Sequence, residues 1–305
     1  MAASTSRHVL LRTRLDRFTR LLPALAQGDV NALHRTRVAT RRLRELLPIL
    51  QLDHDVAYKL GRRLRRVTER LGTVRELDVL LMLIDELHES RRHDRVALNR
   101  VRDHVAKEQA RAREKLLARK LPVNELERMA RKLERIVETL TQADDAQTSH
   151  ATPPHARGWR WALDARIARR AESLRQAIDD AGAVYLPDRL HAVRIAVKKL
   201  RYALEIAAEA EGERTTSDVR ALERAQTLLG RLHDLQVLME RVRQVQASLT
   251  PPNLAAWREL DAVTTLLENS CRRLHARYMR DRAPLEALSA RLAARTPRHT
   301  ARAAV

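Results

Sequence analysis

The sequence has only one cysteine, Cys271, among 305 residues, so an internal disulfide framework is excluded. A lone cysteine suits a reducing compartment, and we therefore expect a cytoplasmic protein. No run of apolar residues approaches the length of a membrane span, so we expect no membrane insertion. Aromatic residues make up 3% of the chain, which leaves few platforms on which the bases of a single-stranded nucleic acid could stack.

Glycine and proline are also scarce, with seven and ten copies, whereas leucine, alanine, arginine and glutamate are abundant. This composition is typical of an almost wholly helical protein, and the length allows one large or two ordinary domains. Residues 1–18 are rich in arginine and poor in acids, as a mitochondrial transit peptide would be. The helical spacing of Leu11, Leu15 and Phe18 favours a first core helix instead.

The chain carries 59 lysines and arginines against 39 acids, a formal net charge of +20. Only seven of the 59 are lysine, so arginine dominates. A charge of this size predicts a polyanionic partner, which could be a nucleic acid, an acidic membrane surface or a phosphate polymer.

Two eleven-residue stretches share one pattern, HRTRVATRRLR over 34–44 and HAVRIAVKKLR over 191–201. Wound as helices, each places apolar residues on one side and a column of cations on the opposing flank. The columns contain His34, Arg37, Arg41 and Arg44 in the first stretch and His191, Arg194, Lys198 and Arg201 in the second. Arg42 and Lys199 match each other between the two stretches.

The columns have no acidic counter-charge, since no aspartate or glutamate occurs over 30–44 or 189–204. Cations one helical turn apart repel one another, so such a column indicates half of a binding site whose other half is an anion. The alternative is a basic face left by an arginine-rich composition. The same register found twice, 157 residues apart, favours a site.

The chain reads as one unit used twice. The first unit is predicted to contain a helix over 5–27, a helix capped by Asp29 or Asn31 that runs to about 52, a helix opened by Asp53 that runs to about 71, and helices over 75–90, 94–119 and 122–140. A linker over 142–157 follows, because periodicity is lost there. The second unit has a cation helix opened by Pro187, and its last helices are predicted over 254–281 and 284–295. We thus expect a single domain over 5–295, built from a first bundle over 5–141 and a second over 158–295.

Two further features repeat. LGTVRELDVLL begins at Leu71 and LGRLHDLQVLM at Leu229, which uses two of only seven glycines at an equivalent position and indicates duplication. We expect Gly72 to end its helix, and the helix of the second unit to close on Gly230. Second cationic pairs also match and are expected to face the columns across a groove: Arg62 and Arg66, and Arg220 and Arg224.

The paired motif HxxR[VI]AxxxLR, followed by LGxxx[ED]LxVL, resembles the CHAD domain, a family named for conserved histidines in an α-helical domain. The resemblance covers roughly 5–295. It implies an all-α fold of two helical bundles, about four long helices each, with pseudo-two-fold symmetry around a basic central channel. It also implies binding of inorganic polyphosphate and association with polyphosphate granules. Two departures are Glu76, where many members have aspartate, and Gln236 at the position of Asp78.

The binding residues that the resemblance implies are the cations of the two motifs, to which the second cationic pairs are added. Arginine suits phosphate because its planar fork makes bidentate contacts and keeps its charge. His34 and His191 would donate hydrogen bonds and take up protons near phosphate, or alternatively hold a neighbouring carbonyl as buried rings. Sulfate or phosphate ions would occupy the same site.

Two alternatives use the same surface. A nucleic-acid binder would be unspecific, since the sequence has no helix-turn-helix, zinc-finger or RNP-like motif. An enzyme of phosphate metabolism would need carboxylates for a metal and a phosphate cradle, but no Walker A or ExExK motif occurs. Glu76 and Asp78 form the nearest carboxylate cluster and are expected to cap helices or orient arginines. We therefore expect no catalysis, no cofactor and no bound metal.

Overall fold

Every regular element of the described residues is helical, which confirms the all-α class. The computed structural model describes residues 5–90, 95–118, 123–148, 154–212, 216–249 and 253–294. Within these ranges the α-helices are α1 (Arg7–Thr19), α2 (Leu22–Ala26), α3 (Val30–Leu46), α4 (His54–Arg70), α5 (Gly72–Glu89), α6 (Arg95–Ala118), α7 (Val123–Thr148), α8 (Pro154–Ala181), α9 (Pro187–Ala210), α10 (Ser217–Ala247) and α11 (Leu254–Ala293). A 3₁₀ turn, Leu47–Ile49, follows α3.

The cation-bearing helices begin where the sequence predicts. The Asp29 side chain accepts a hydrogen bond from the backbone N–H of Ala32 at the start of α3. Asp53 caps α4 in the same way through Val56. Pro187 occupies the first turn of α9, where its missing N–H leaves no helical bond unmade. These starts satisfy orphan N–H groups and fix the register of both cation columns.

Gly230 does not end a helix, so that prediction was wrong, whereas α4 ends just before Gly72 as predicted. Only Leu71 separates α4 from α5, and Gly72 is the first residue of α5. Gly230 lies inside α10, which is continuous from Ser217 to Ala247. Neither glycine adopts the positive φ of a helix-terminating residue. The second unit therefore has one long helix where the first has the pair α4 and α5.

Other boundaries also differ from those predicted. The first helix is divided into α1 and α2. Helix α7 continues to Thr148 and α8 begins at Pro154, so helix occupies much of the range predicted as a linker. The expected break at Pro284 is absent, because α11 packs along α8 and buries Leu285 and Leu292 beyond the proline. That burial outweighs the cost of about 3 kcal/mol for an internal proline. Residues after 297 lie outside the described residues.

The apolar core orients the two columns. Helix α3 packs against α1 and α4, while α9 packs against α8 and α10. Leu43 on α3 and Leu200 on α9 are both fully buried, at 0% exposure, so the opposite flanks face away from the core. A smaller core cluster joins α5 and α6 to α10 and α11, with Leu83 and Leu238 among its members. Both clusters therefore draw residues from both halves of the sequence.

None of the helices in the described ranges combines the length and the apolar character needed to cross a lipid bilayer.

Candidate anion-binding site

Helices α3 and α9 contribute cations to one shared cavity of about 710 Å³. Arg37, Arg41 and Arg44 line it from α3, at the spacing of one helix face. Lys198 and Lys199 line it from α9. The structure thus brings central parts of both predicted columns together around a single concave space.

Further charged residues complete the lining. They are three arginines and three glutamates, namely Arg65, Arg166, Arg170, Glu45, Glu69 and Glu76. Eight cationic side chains therefore face three carboxylates, and the cavity is strongly positive. Arg166 and Arg170 come from α8, whose role at the site the sequence did not reveal.

Each carboxylate of the lining is already engaged by an arginine. Glu45, whose side chain is 7% exposed, accepts hydrogen bonds from Arg166 at 2.5 Å and from Arg170 at 3.4 Å. Glu69 accepts from Arg65 on the same helix at 2.8 Å. Glu45 and Glu69 therefore hold arginines of α8 and α4, and among the lining cations of α3 and α9 only Arg37 has a described carboxylate, Glu76, within ion-pair distance.

Among the described residues, four cations of the lining have no ion-pair partner, nor does Arg194, whose charge acts on Lys198. Among the described carboxylates, none lies within 4.0 Å of a cationic nitrogen of Arg41, Arg44, Arg194, Lys198 or Lys199. The Nε atom of Arg194 is buried and makes no hydrogen bond within the described part of the chain. Buried donors without partners are costly, so these groups are poised to bind an anion.

Burial and mutual repulsion lower the pKa values of these cations. Burial, followed by Arg41 and Arg194, lowers the pKa of Lys198 from 10.5 to about 7. Burial and Arg41 likewise lower the pKa of Arg37 to about 10. Burial also lowers the pKa of Lys199. A bound anion would reverse these effects, because opposite charge favours the protonated forms.

Gly72 lies beside the side chain of Arg37. A Cβ atom at this position would lie 3.4 Å from Nη2 of Arg37 and 3.5 Å from its Nε. The first turn of α5 thus lies directly against this guanidinium group. The same Nη2 atom lies 3.5 Å from Oε1 of Glu76, which is largely exposed. Glu76 therefore orients an arginine, as the sequence predicted.

The second unit shows a related arrangement. Arg194 is influenced by Asp234, which is the counterpart of Glu76 and lies near it on α10. Nδ1 of His191 lies 3.2 Å from Nδ1 of His233, and the ring centroids are 4.5 Å apart. His233 stands at the position of Arg75 in the first unit, and Arg75 is the charge with the largest effect on the pKa of His34.

The surroundings of the site histidines disfavour their protonated forms. Burial and then Arg75 lower the pKa of His34, and burial and then Arg194 lower that of His191. Burial lowers the pKa of His233 to about 4. In the described part of the chain His191 pairs with the ring of His233 rather than with a backbone carbonyl, and its role toward phosphate stays a prediction. Nδ1 of His34 is buried without a described partner.

Four column residues and Arg42 do not line the main cavity; the four are His34, His191, Arg194 and Arg201. His34 and Arg42 line a second cavity of about 400 Å³ between α1 and α3. Arg42 lies 3.4 Å from Glu205, and Arg201 lies 2.6 Å from the same carboxylate. Glu205 directly follows the acid-free stretch, so the signal for this neutralisation was present in the sequence.

The second cationic pairs lie elsewhere as well. The four arginines are exposed and do not line the cavity: Arg62, Arg66, Arg220 and Arg224. On α4 the lining face runs through Ala57, Gly61, Arg65 and Thr68, one position away from the predicted arginines. The small residues Ala57 and Gly61 leave open space on this face, which belongs to the cavity.

The acid after Gly72 has a separate structural role. Asp78 accepts hydrogen bonds from Gln109 at 2.5 Å and from Arg113 at 3.2 Å, both on α6. Its counterpart Gln236 donates to the hydroxyl of Tyr185 at 2.8 Å. Within the described ranges, no group of three or more histidine, cysteine, aspartate or glutamate side chains could hold a metal ion.

Fold and site together define an all-helical protein with a cationic cavity. The model of the CHAD domain matches residues 9–243, and the chain belongs to the CHAD domain family. The crystal structure of the CHAD domain from the plant Ricinus communis is 21% identical, with a TM-score of 0.58, over 97% of this chain and 95% of that one. PptA from Streptomyces chartreusis is 19% identical, with a TM-score of 0.56, over 94% and 97%. No curated protein matches the chain.

Proposed function

We propose that the protein binds inorganic polyphosphate in the cavity between α3 and α9 and is held in this way at polyphosphate granules in the cytoplasm. The observation that supports the proposal most directly is the set of four lining cations that have no ion-pair partner among the described residues, with the likewise unpaired Arg194 acting on Lys198. Membership of the CHAD domain family supports it, because the family is associated with polyphosphate binding.

The chemistry of the ligand fits this set. Polyphosphate is a flexible chain with charge on every phosphate and no bases to read, so a curved cationic wall suffices. Guanidinium groups offer paired N–H donors to phosphate oxygens. Because rigid helices place these donors before binding, little ordering free energy is lost.

We further propose that the two halves are related by an internal pseudo-two-fold axis through a basic central channel. The electrostatic effect of Glu76 on Arg37 and of Asp234 on Arg194 supports this arrangement, because the two acids occupy equivalent positions after Gly72 and Gly230. The division into bundles over 5–141 and 158–295, joined by 142–157, remains a prediction.

A double charge reversal tests the site. Arg41→Glu with Lys198→Glu should weaken binding of fluorescently labelled polyphosphate more than 100-fold, because charge-assisted hydrogen bonds contribute about 1.5–3 kcal/mol each. Arg220→Glu with Arg224→Glu makes the same charge change on exposed residues outside the cavity. Anisotropy titrations at one salt concentration should show only a small loss for this control. Equal losses in both double variants would refute the cavity as the site.

We propose that binding occurs without catalysis. The three carboxylates of the lining lie against arginines, which leaves them poorly available to a metal ion. Incubation of the protein with polyphosphate and Mg²⁺ should release no phosphate above a protein-free control. Phosphate release that Arg41→Glu abolishes would contradict this part of the proposal.

Non-specific binding of a nucleic-acid backbone is the second candidate, and the net charge of +20 favours it. The cavity of about 710 Å³ is too small to admit a duplex, so a nucleic acid would use exposed arginines. Competition between DNA and long-chain polyphosphate at fixed salt separates the candidates. Weakening of DNA binding by the Arg220 and Arg224 reversals, with polyphosphate binding retained, would place the two polyanions on different surfaces.

A further inference from the structure

Lys198 combines access to a cavity with a surplus of neighbouring cations. It lines the cavity from α9, and its closest electrostatic neighbours are Arg41, Arg194, Arg37 and Arg44. None of the described carboxylates lies within 4.0 Å of its Nζ atom. By contrast, the exposed Lys59 lies 3.6 Å from Asp55.

This setting favours the free amine, which is the nucleophilic form of lysine. A lysine beside other cations, and partly removed from water, loses its proton more easily than an exposed one. The lowered pKa of Lys198, about 7, agrees with this effect of its surroundings. The same arginines that repel the ammonium group attract a phosphoryl group, so reagent and nucleophile meet in one cavity.

We propose that Lys198 is a site of acylation by acyl phosphates, which dock their phosphoryl group on the arginines of the cavity and transfer their acyl group to Nζ. The inference rests on the anion affinity that the proposed function assigns to this cavity. It requires only a small phosphate anion, however, and not a polymer.

The reaction needs no further reagent. The lone pair of Nζ attacks the carbonyl carbon of the acyl phosphate, and the bond from that carbon to the bridging oxygen breaks. Inorganic phosphate leaves with the electron pair, and Nζ releases a proton to water. The product is an amide without charge, so acylation removes one cation from the cavity and should weaken polyphosphate binding.

The inference is tested by the rates at which acetyl phosphate acetylates individual lysines of the 305-residue protein at pH 8, measured by mass spectrometry. Lys107 is exposed, does not line the cavity and serves as the reference within the same molecule. An ordinary lysine is roughly 0.4% unprotonated at pH 8, whereas an amine with a pKa near 7 is about 90% unprotonated. The free-amine fractions alone would make Lys198 react roughly 200-fold faster than Lys107. Because a less basic amine is also a weaker nucleophile, we expect it to react about tenfold faster.

A neutral acyl donor, N-acetoxysuccinimide, separates the docking of the phosphoryl group on the arginines from the lowered basicity of Lys198, because it has no phosphoryl group. The preference for Lys198 should be larger with acetyl phosphate than with the neutral donor, and inorganic phosphate should suppress only the acetyl phosphate excess. Arg41→Gln should reduce the preference, whereas Arg220→Gln should leave it unchanged. Equal rates at Lys198 and Lys107 would overturn the inference in the wild-type protein, whatever the variants do.

The two proposals can fail separately. A preference that inorganic phosphate suppresses but long-chain polyphosphate does not would support the reactive lysine and refute the proposed function. A preference of equal size with both donors would overturn the assignment of acyl phosphates. Protection of Lys198 by polyphosphate, with Lys107 unaffected, would support both proposals.

Discussion

Replacing Lys198 by methionine should stabilise the free protein while weakening its binding of polyphosphate. The lysine is held among four arginines, so its charge opposes folding at neutral pH. Methionine keeps an unbranched stem for packing and removes the charge. A substitution that stabilises the fold and impairs binding is the mark of a site whose charges are kept for a ligand.

The lowered pKa of Lys198 gives the expected size of the stabilisation. A fall in the pKa of Lys198 from 10.5 to about 7 corresponds, at 1.36 kcal/mol per pH unit, to roughly 5 kcal/mol as an upper limit. The side chain is only partly buried, and solvent screening reduces this to about 2 kcal/mol. For a chain of this length, we expect the melting temperature to rise by about 4 °C.

Thermal unfolding of wild type and of Lys198→Met at several pH values measures this rise in melting temperature. Below pH 7 the lysine is protonated in both folded and unfolded chains, so its full penalty is present. Between pH 7 and 10.5 the unfolded chain binds more protons, so the penalty declines and the difference between variant and wild type should vanish. Lys107→Met, at an exposed position, is the control and should change little. An unchanged or lower melting temperature for Lys198→Met at pH 7 would refute this reasoning.

Three further variants give expected outcomes. Above pH 7 the wild-type affinity for polyphosphate should fall by up to tenfold per pH unit, because the lysine of the free protein loses its proton. Lys198→Arg should flatten this pH dependence, since arginine keeps its charge, and equal slopes in binding titrations of the two proteins would contradict this. Gly230→Ala should raise the free energy of unfolding by about 1 kcal/mol in urea melts, since its Cβ meets no atom within 4 Å inside α10. Glu45→Gln should lower that free energy by about 3 kcal/mol, since it leaves Arg166 and Arg170 without their buried partner, yet tighten polyphosphate binding in the same titrations.

Local chemistry made much of the fold predictable. Asp29 and Asp53 cap helices where predicted, because a side-chain oxygen at that position satisfies a free N–H of the first turn. The burial of Leu43 and Leu200 follows from helical periodicity alone. The cations opposite these leucines were predictable for the same reason, and Arg37, Arg41 and Lys198 indeed line one cavity.

Features that depend on long-range packing could not be predicted from local sequence patterns. A proline usually ends a helix, but contacts of α11 with α8 carry the helix through Pro284. The involvement of Arg166 and Arg170 depends on how α8 lies beside α3, which no local pattern specifies. His233 was missed because its neighbour His191 is 42 residues away and meets it only through the pairing of α9 with α10.

The acids, more than the cations, determine where the site lies. Arginines are so frequent in this chain that their positions alone do not separate a binding surface from an ordinary one. Glu205 removes Arg42 and Arg201 from availability, because its carboxylate lies within ion-pair distance of both. Arg41 and Lys198 have no such partner among the described residues, so the repulsion between them remains until an anion relieves it. A bound anion offsets that repulsion, so Lys198→Met should both stabilise the free protein and weaken its binding of the ligand.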